Sequence, residues 1–402
     1  MDQVVSESAS DLSERLLLAV RKVMAVQDVT IGGSQQHFTV RFRGKLYLES
    51  SEAYDRLKPI FEREEMTLVF RSEDNEHAVM AVPGFIQPKP SNPWINLGLF
   101  LLTLLSVIYT GVQTAAGYNA FTSGDISSPG IILSRDLPLG FLFAVSLLAI
   151  LVAHEFGHYT AARRHNTAVS LPYFLPFPGS PFGTLGAFIR MKEPPRNRRV
   201  MLDIGLAGPL AGLAVAIPVL LIGLSLSKIG TLPMSPAEAV GHGLEGNSLL
   251  YLGAKYLVTG KMLPAPVDYG GLHPVLYWVR YFFLGLPVPY GGIDVLMHPM
   301  AWAGWAGLLV TALNLIPAGQ LDGGHIIHVL LGDRARRLLP FIIVGLIVLG
   351  WYLWAALIFF LGRTYAQPLD EITELDGRRK ALAIFGLIVF FLVFTPMPMM
   401  PM

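Results

Sequence analysis

The stretch PLGFLFAVSLLAILVAHEFGHYTAA, residues 138–162, decides how this chain is read. It opens on sixteen uncharged, mostly apolar residues, and His154, Glu155 and His158 follow in its last turns. A helix of about 20 apolar residues crosses the hydrocarbon core of a bilayer. The segment is therefore a transmembrane helix with three ionisable groups near one end. Such groups are expensive inside a membrane unless they line a cavity or bind something. Five further runs qualify as spans: 94–113, 202–226, 301–331, 338–361 and 381–397. The shorter stretch 273–287 carries Arg280 between Gly/Pro-rich segments and reads as interfacial or lumen-facing. Six spans put both termini on the same side. Loop 163–200 holds seven Lys/Arg and 332–337 three, whereas 114–137 has only Arg135. The positive-inside rule then predicts that both basic loops and both termini are cytoplasmic. Loop 362–380 disagrees: alternation puts it outside, yet it carries Arg363, Arg378, Arg379 and Lys380.

Composition supports the same division. Of 402 residues, 52% are hydrophobic and only 15% charged, and mean hydropathy is +0.50. The charges are unevenly spread, with 25 of 59 in residues 1–92. This predicts a polar N-terminal domain, 1–92 with its linker, joined to a membrane domain, 93–402. The pattern argues against a disordered chain, a nucleic-acid binder and a simple soluble enzyme. The net charge of +1 implies no large electrostatic partner. With no cysteine, disulfides, thiolate metal sites and cysteine nucleophiles are excluded. The start of the chain is acidic and then amphipathic, with Leu12, Leu16, Val20 and Val23 three or four apart. That spacing predicts a surface helix rather than a secretory signal. Strands are expected at His37–Arg43, Met66–Phe70 and Ala78–Val82, with a helix from Ser51 that Pro59 should end or kink. This is a small cytosolic α+β domain, tethered by the Pro-rich segment Pro83–Pro93.

Histidines four apart share one helical face, so His154 and His158 can bind one metal ion. Glu155 lies about 60° around the helix from His158, placed to activate water without being a ligand. Catalytic zinc uses three protein groups plus water, so another span must supply a third. The best candidate lies in Asn314-Leu315-Ile316-Pro317-Ala318-Gly319-Gln320-Leu321-Asp322-Gly323-Gly324-His325, where Asp322 is the only acid between residues 295 and 332. Pro317 and the glycines break the helix and free backbone groups around a polar site. His325 and His328 compete as the ligand but rank behind Asp322. The segment Leu171–Pro178 cannot form a regular helix, and Phe182–Met191 reads as a re-entrant strand or hairpin near the metal or as an interfacial loop. Gly205, Gly208 and Gly212 form a helix-packing stripe on the third span, read as scaffold. The remaining histidines, 37, 77, 165, 242, 273 and 298, have no partner at ligand spacing and read as surface or interfacial groups.

These residues resemble the site-2 protease family of intramembrane zinc metalloproteases. The likeness rests on HEFGH at 154–158, FGTLGAFIRMKEPPRNR at 182–198 and NLIPAGQLDGGH at 314–325, and covers about 94–397. The resemblance implies an α-helical polytopic fold of about six transmembrane helices with a re-entrant segment. It implies one Zn2+ per chain held by His154, His158 and Asp322, with Glu155 activating water. It further implies that Asn314 holds the substrate or the oxyanion. The substrate it implies is a single-span membrane protein, cut within or next to its span in the bilayer, as in regulated intramembrane proteolysis. Gly319 stands where many members have a second proline. A transporter or metal-binding membrane protein is one rival reading, and a substrate-holding pseudoprotease is another. Glu155 beside the histidines argues against the first, and the intact set of four residues against the second.

Overall fold

The computed structural model describes residues 2–33, 36–73, 76–85, 87–123, 129–239 and 243–402. Its N-terminal part runs α1 (Asp2–Val20), β1 (Met24–Ile31), β2 (Val40–Leu46), α2 (Ser50–Arg63), β3 (Met66–Glu73) and β4 (Glu76–Pro83). The strands form one antiparallel sheet in the order β1-β2-β4-β3. Leu12, Leu16 and Val20 of α1 and Ala53, Tyr54, Leu57 and Phe61 of α2 close a core over Phe42, Phe70 and Val79. Pro59 does not stop α2. Pro59 and Asp55, whose carbonyl loses its helical partner, are both exposed, so water satisfies that carbonyl.

The helical part follows with α3 (Pro93–Ser123), α4 (Pro129–Arg164), the hairpin β5 (Tyr173–Pro176) and β6 (Thr184–Phe188), and α5 (Arg198–Leu226). Next come β7 (Lys228–Thr231), β8 (Gly243–Glu245), α6 (Leu249–Thr259), α7 (Pro274–Leu284) and β9 (Ile293–Leu296). The chain ends with α8 (Pro299–Asn314), α9 (Asp322–Leu331), a 3-10 turn at Gly332–Leu338, α10 (Leu339–Val348), α11 (Tyr352–Leu361), α12 (Gly377–Val393) and β10 (Met399–Pro401). Among the described residues three helices are long and apolar enough to cross a membrane: Pro93–Thr122, Ser134–Arg164 and Arg198–Leu226. The run 301–331 is split between α8 and α9 by the turn after Asn314.

The run 338–361 is not one straight helix. It folds into two ten-residue arms, each about 15 Å long at 1.5 Å per residue. The turn is at Gly350, whose φ is +79°. The arms return to their origin: a Cβ on Gly362 would lie 3.0 Å from Leu339 Cδ1. Loop 362–376 therefore sits at the same end of the bundle as the N-terminal domain. Phe70 N donates to the Leu369 carbonyl at 2.8 Å, Ser50 Oγ to Asp370 Oδ1 at 2.7 Å, and Leu369 and Ile372 pack on the N-terminal core. From there α12 starts beside the start of α5, where Arg379 donates to both carboxylate oxygens of Asp203 at 3.0 and 2.7 Å. It ends at the opposite end of the bundle, where β10 pairs antiparallel with β8. Of the six expected spans, three are helices long and apolar enough to cross among the described residues, and residues 338–361 fold back on themselves.

Candidate metal centre

The site is built where α4, α5 and the α8–α9 turn meet. On α4, one turn of helix carries His154 Nε2 and His158 Nε2 to 3.2 Å from each other. Asp322, the first residue of α9, brings Oδ2 to 3.5 Å from His154 Nε2 and 3.3 Å from His158 Nε2. The turn between α8 and α9 exists for this placement. A Cβ on Gly323 would fall 1.9 Å from the Leu315 carbonyl oxygen, so only glycine lets α9 start this close to the end of α8. Gly319 has φ +55°, a value no proline could adopt, since proline is held near −65°.

His158 Nδ1 donates to the Ile204 carbonyl at 2.8 Å. That bond fixes the ring and the tautomer, and leaves the Nε2 lone pair free to bind a metal. Three electron-rich atoms thus face one another at 3.2–3.5 Å. A tetrahedral ion bonded at about 2.0–2.1 Å needs ligand atoms about 3.3–3.4 Å apart, so the donor set fits zinc. His154, His158 and Asp322 form the one group among the described residues with this character. Glu155 and Asn314 line the same cavity of about 240 Å3. Glu155 is buried, and Asn314 Nδ2 lies 3.3 Å from His154 Nε2. The edge of β6 and the residues after it, Ala187, Phe188 and Ile189, form the facing wall.

The predicted residues therefore converge, including Asn314, which only the family resemblance pointed to. His325 lines the cavity without joining the three donors. His328 is fully buried, its ring stacked on Tyr365. The other histidines serve locally. His273 and His298 accept from backbone amides at the starts of α7 and α8, His77 accepts from Leu46 N, and His165 faces Asp203 at 3.0 Å. His298 is buried rather than at the surface; His242 lies outside the described residues. Sequence reasoning missed the proximity of the glycine stripe to the metal ligands. A Cβ on Gly208 would stand 2.0 Å from His158 Nε2, and one on Gly212 3.1 Å from His154 Cβ. The stripe of small residues was visible; that it faced the HEFGH turn was not.

Comparison with known proteins agrees with this site. Residues 142–356, which contain all five residues, match the model of peptidase family M50. A relative from Arabidopsis thaliana, "Probable zinc metalloprotease EGY1, chloroplastic", is 31% identical over 77% of this chain and 55% of its own length. "Probable zinc metalloprotease EGY2, chloroplastic" from Oryza sativa subsp. indica is 27% identical over 89% of this chain and 62% of its own. The chain thus spans little more than half the length of these relatives. No solved structure matches. On a match covering over half its residues, the chain belongs to peptidase family M50.

Proposed function

We propose that the protein is an intramembrane zinc metalloprotease that hydrolyses a peptide bond within or next to the transmembrane segment of a single-span membrane protein. The observation that carries this reading is the buried turn of α4. It presents two histidines to Asp322 and a separate carboxylate, Glu155, to the same cavity. A metal carrier or holding protein has no use for that carboxylate, whereas hydrolysis requires a base beside the ligands. His154, His158 and Asp322 would hold the ion, one per chain. Zinc there supplies Lewis acidity, polarising a carbonyl and acidifying water.

The chain's own residues do the rest. Glu155 takes the proton of the attacking water on its carboxylate and passes it to the leaving amide nitrogen. Asn314 Nδ2 donates to the carbonyl oxygen as charge builds there. The bond from His158 to Ile204 keeps the imidazole from turning. A transmembrane substrate must unwind before its carbonyl is reachable, and the cavity-facing edge of β6 offers backbone groups to the unwound strand. Proline or glycine near the cut site favours this opening.

In the membrane, α3, α4, α5, the α8–α9 pair and α12 cross, while α10–α11 and the β5–β6 hairpin dip in and return. Residues 1–92 and the basic loops, now joined by 362–380, face the cytoplasm on the positive-inside rule; β10 faces the opposite side. The test is cleavage of a single-span substrate by purified, zinc-loaded protein in detergent, beside Glu155→Gln. Cleavage by the parent alone, with zinc retained in both, is expected. Equal cleavage by the variant, or none by either with zinc bound, would overturn the protease reading.

A further inference from the structure

At the end of the bundle remote from His154, a second cavity of about 1130 Å3 opens between the later half of α3, the tip of the β5–β6 hairpin, β8, β9 and the chain's last residues. Two of its lining residues are acids, Glu245 and Asp294, which are only 8% and 2% exposed. Behind them lies Lys255 of α6, wholly buried, with Nζ 3.7 Å from Glu245 Oε1 and 3.6 Å from Asp294 Oδ1. Its ammonium makes no hydrogen bond and sits 4.5 Å over the Tyr251 ring. Tyr251 Oη donates to Glu245 Oε1 at 2.7 Å, and Val295 N to Asp294 Oδ1 at 2.8 Å.

When both acids are ionised, two carboxylates against one ammonium leave a negative charge at the cavity wall, and among the described residues no Lys or Arg lines the cavity to balance it. A buried charge without a partner is costly, so the wall is built for a cation that arrives from outside. Thr110, another lining residue and 7% exposed, has an Oγ1 with no hydrogen-bond partner. Tyr109, Tyr118, Phe121 and Trp302 line the remainder. Such walls suit a cation on an apolar stem. The space far exceeds a bare metal ion, and two acids repel an anionic lipid headgroup.

The hairpin joins the two cavities. Its tip, Pro178 to Pro181, lines this one, and Ala187 to Ile189 line the metal site. We propose that Glu245 and Asp294 form a recognition site for a Lys or Arg side chain on the substrate's flank remote from the metal. The cation registers the chain along β6 while the bond to be cut lies at His154, His158 and Asp322. This rests on the proteolytic reading above. The extended part of the hairpin between the two cavities is β6, Thr184–Phe188, so the cation lies at least five residues from the cut bond. Basic residues are scarce on the flank away from the cytoplasm, so a cation there separates one substrate from many.

The test uses two fluorescent single-span peptides that differ only in Arg or Gln at that flank position. Their binding to the full chain carrying Glu155→Gln is measured in detergent, and their cleavage by the parent is followed in parallel. The Arg peptide is expected to bind about tenfold tighter, as a charge-assisted contact to buried carboxylates gives. Its KM should fall by the same factor with kcat unchanged. Combining Glu245→Gln, Lys255→Met and Asp294→Asn removes all three charges without stranding the ammonium. That variant should bind both peptides alike. Equal binding of the two peptides to the unaltered cavity would overturn the proposal even if the triple variant fails to fold. A preference that survives in a folded triple variant would overturn the assignment to these acids. Binding preference without cleavage of either peptide would sink the protease reading and leave the cation site standing. Cleavage of both without preference would do the reverse.

Discussion

Gly208→Ala adds one methyl group to α5, and its effect follows from a single distance. The new Cβ would lie 2.0 Å from His158 Nε2, 2.3 Å from Cδ2 and 2.5 Å from Cε1. Non-bonded heavy atoms rest about 3.5 Å apart or more, so the ring or the helix must give way by about 1.5 Å. The ring has little freedom, because His158 Nδ1 is bonded to the Ile204 carbonyl of that same helix. Moving α5 is no easier: a Cβ on Gly157 would already lie 2.4 Å from the Ala207 carbonyl oxygen, which shows how closely the two backbones touch. Overpacking of this kind costs about 1–3 kcal/mol, and alanine's better helix propensity returns only about 1 kcal/mol. The larger loss is functional. Metal sites tolerate about 0.2 Å in ligand position, and a misplacement of about 1 Å at a reacting centre costs about a hundredfold in rate. Zinc per chain, measured by mass spectrometry on purified protein, should fall well below one, and cleavage of a single-span substrate by at least about a hundredfold. Gly212→Ala is the control: its Cβ would meet His154 Cβ at 3.1 Å, a strain that a shift of about 0.4 Å relieves, so most zinc should remain. Full zinc occupancy and parental cleavage in Gly208→Ala would refute the assignment of His158 as a ligand in this geometry.

Three further outcomes are expected. Burial and the neighbouring Asp294 raise Glu245 to about 7 from its ordinary 4.5, with Lys255 and the Tyr251 hydroxyl pulling the other way. Between those values the folded chain keeps a proton that the unfolded chain has lost, so melting temperature in detergent should decline as pH rises through this window. Glu245→Gln should flatten that slope, and affinity for the Arg peptide should rise across the same window because a cation favours the ionised acid; a slope unchanged in the variant would contradict the assignment. Asp370, wholly buried, accepts from Ser50 Oγ, Ile372 N, Thr373 N and Thr373 Oγ1. Asp370→Ala strands those donors at about 1–3 kcal/mol, so hydrogen exchange in residues 50–63 and 366–376 should quicken while zinc content holds. Gly319→Pro, which installs the proline of other members, should cost about 3 kcal/mol or more because φ is +55° here; a melting temperature at or above the parent's would show that the α8–α9 turn differs from that described.

The candidate metal ligands were legible because each is a chemical anomaly against an apolar ground. Two histidines at helical spacing and one acid in a 38-residue stretch without another need no tertiary information to stand out. Direction was not legible. Hydropathy adds up residues 338–361 as one span, since a sum is blind to direction, and one glycine at φ +79° reverses the chain. The four basic residues in 362–380 are in keeping with that reversal, because loop charge bears on sidedness independently of helix number. The acids and lysine of the second cavity had no such signature. Glu245, Lys255 and Asp294 are spread over 50 residues of a Gly/Pro-rich segment, and only the tertiary packing of β8, α6 and β9 brings them together.

The glycine stripe shows why packing and chemistry cannot be read apart in this protein. Gly205, Gly208 and Gly212 were rightly taken as residues that let helices approach. The helix that Gly208 and Gly212 admit, however, is the one that carries His154 and His158, while Gly205 faces His325 and the Asp322 carbonyl of α9. The close approach of α4 to α5 is what brings the Ile204 carbonyl within 2.8 Å of His158 Nδ1, and that bond aims Nε2 at Asp322. A larger residue at 208 would therefore damage the metal site through the scaffold, with every ligand still present in the sequence. Intact motifs in a relative that lacks these small residues are accordingly weak grounds for assigning it activity. The separation of α4 and α5 is the quantity to check.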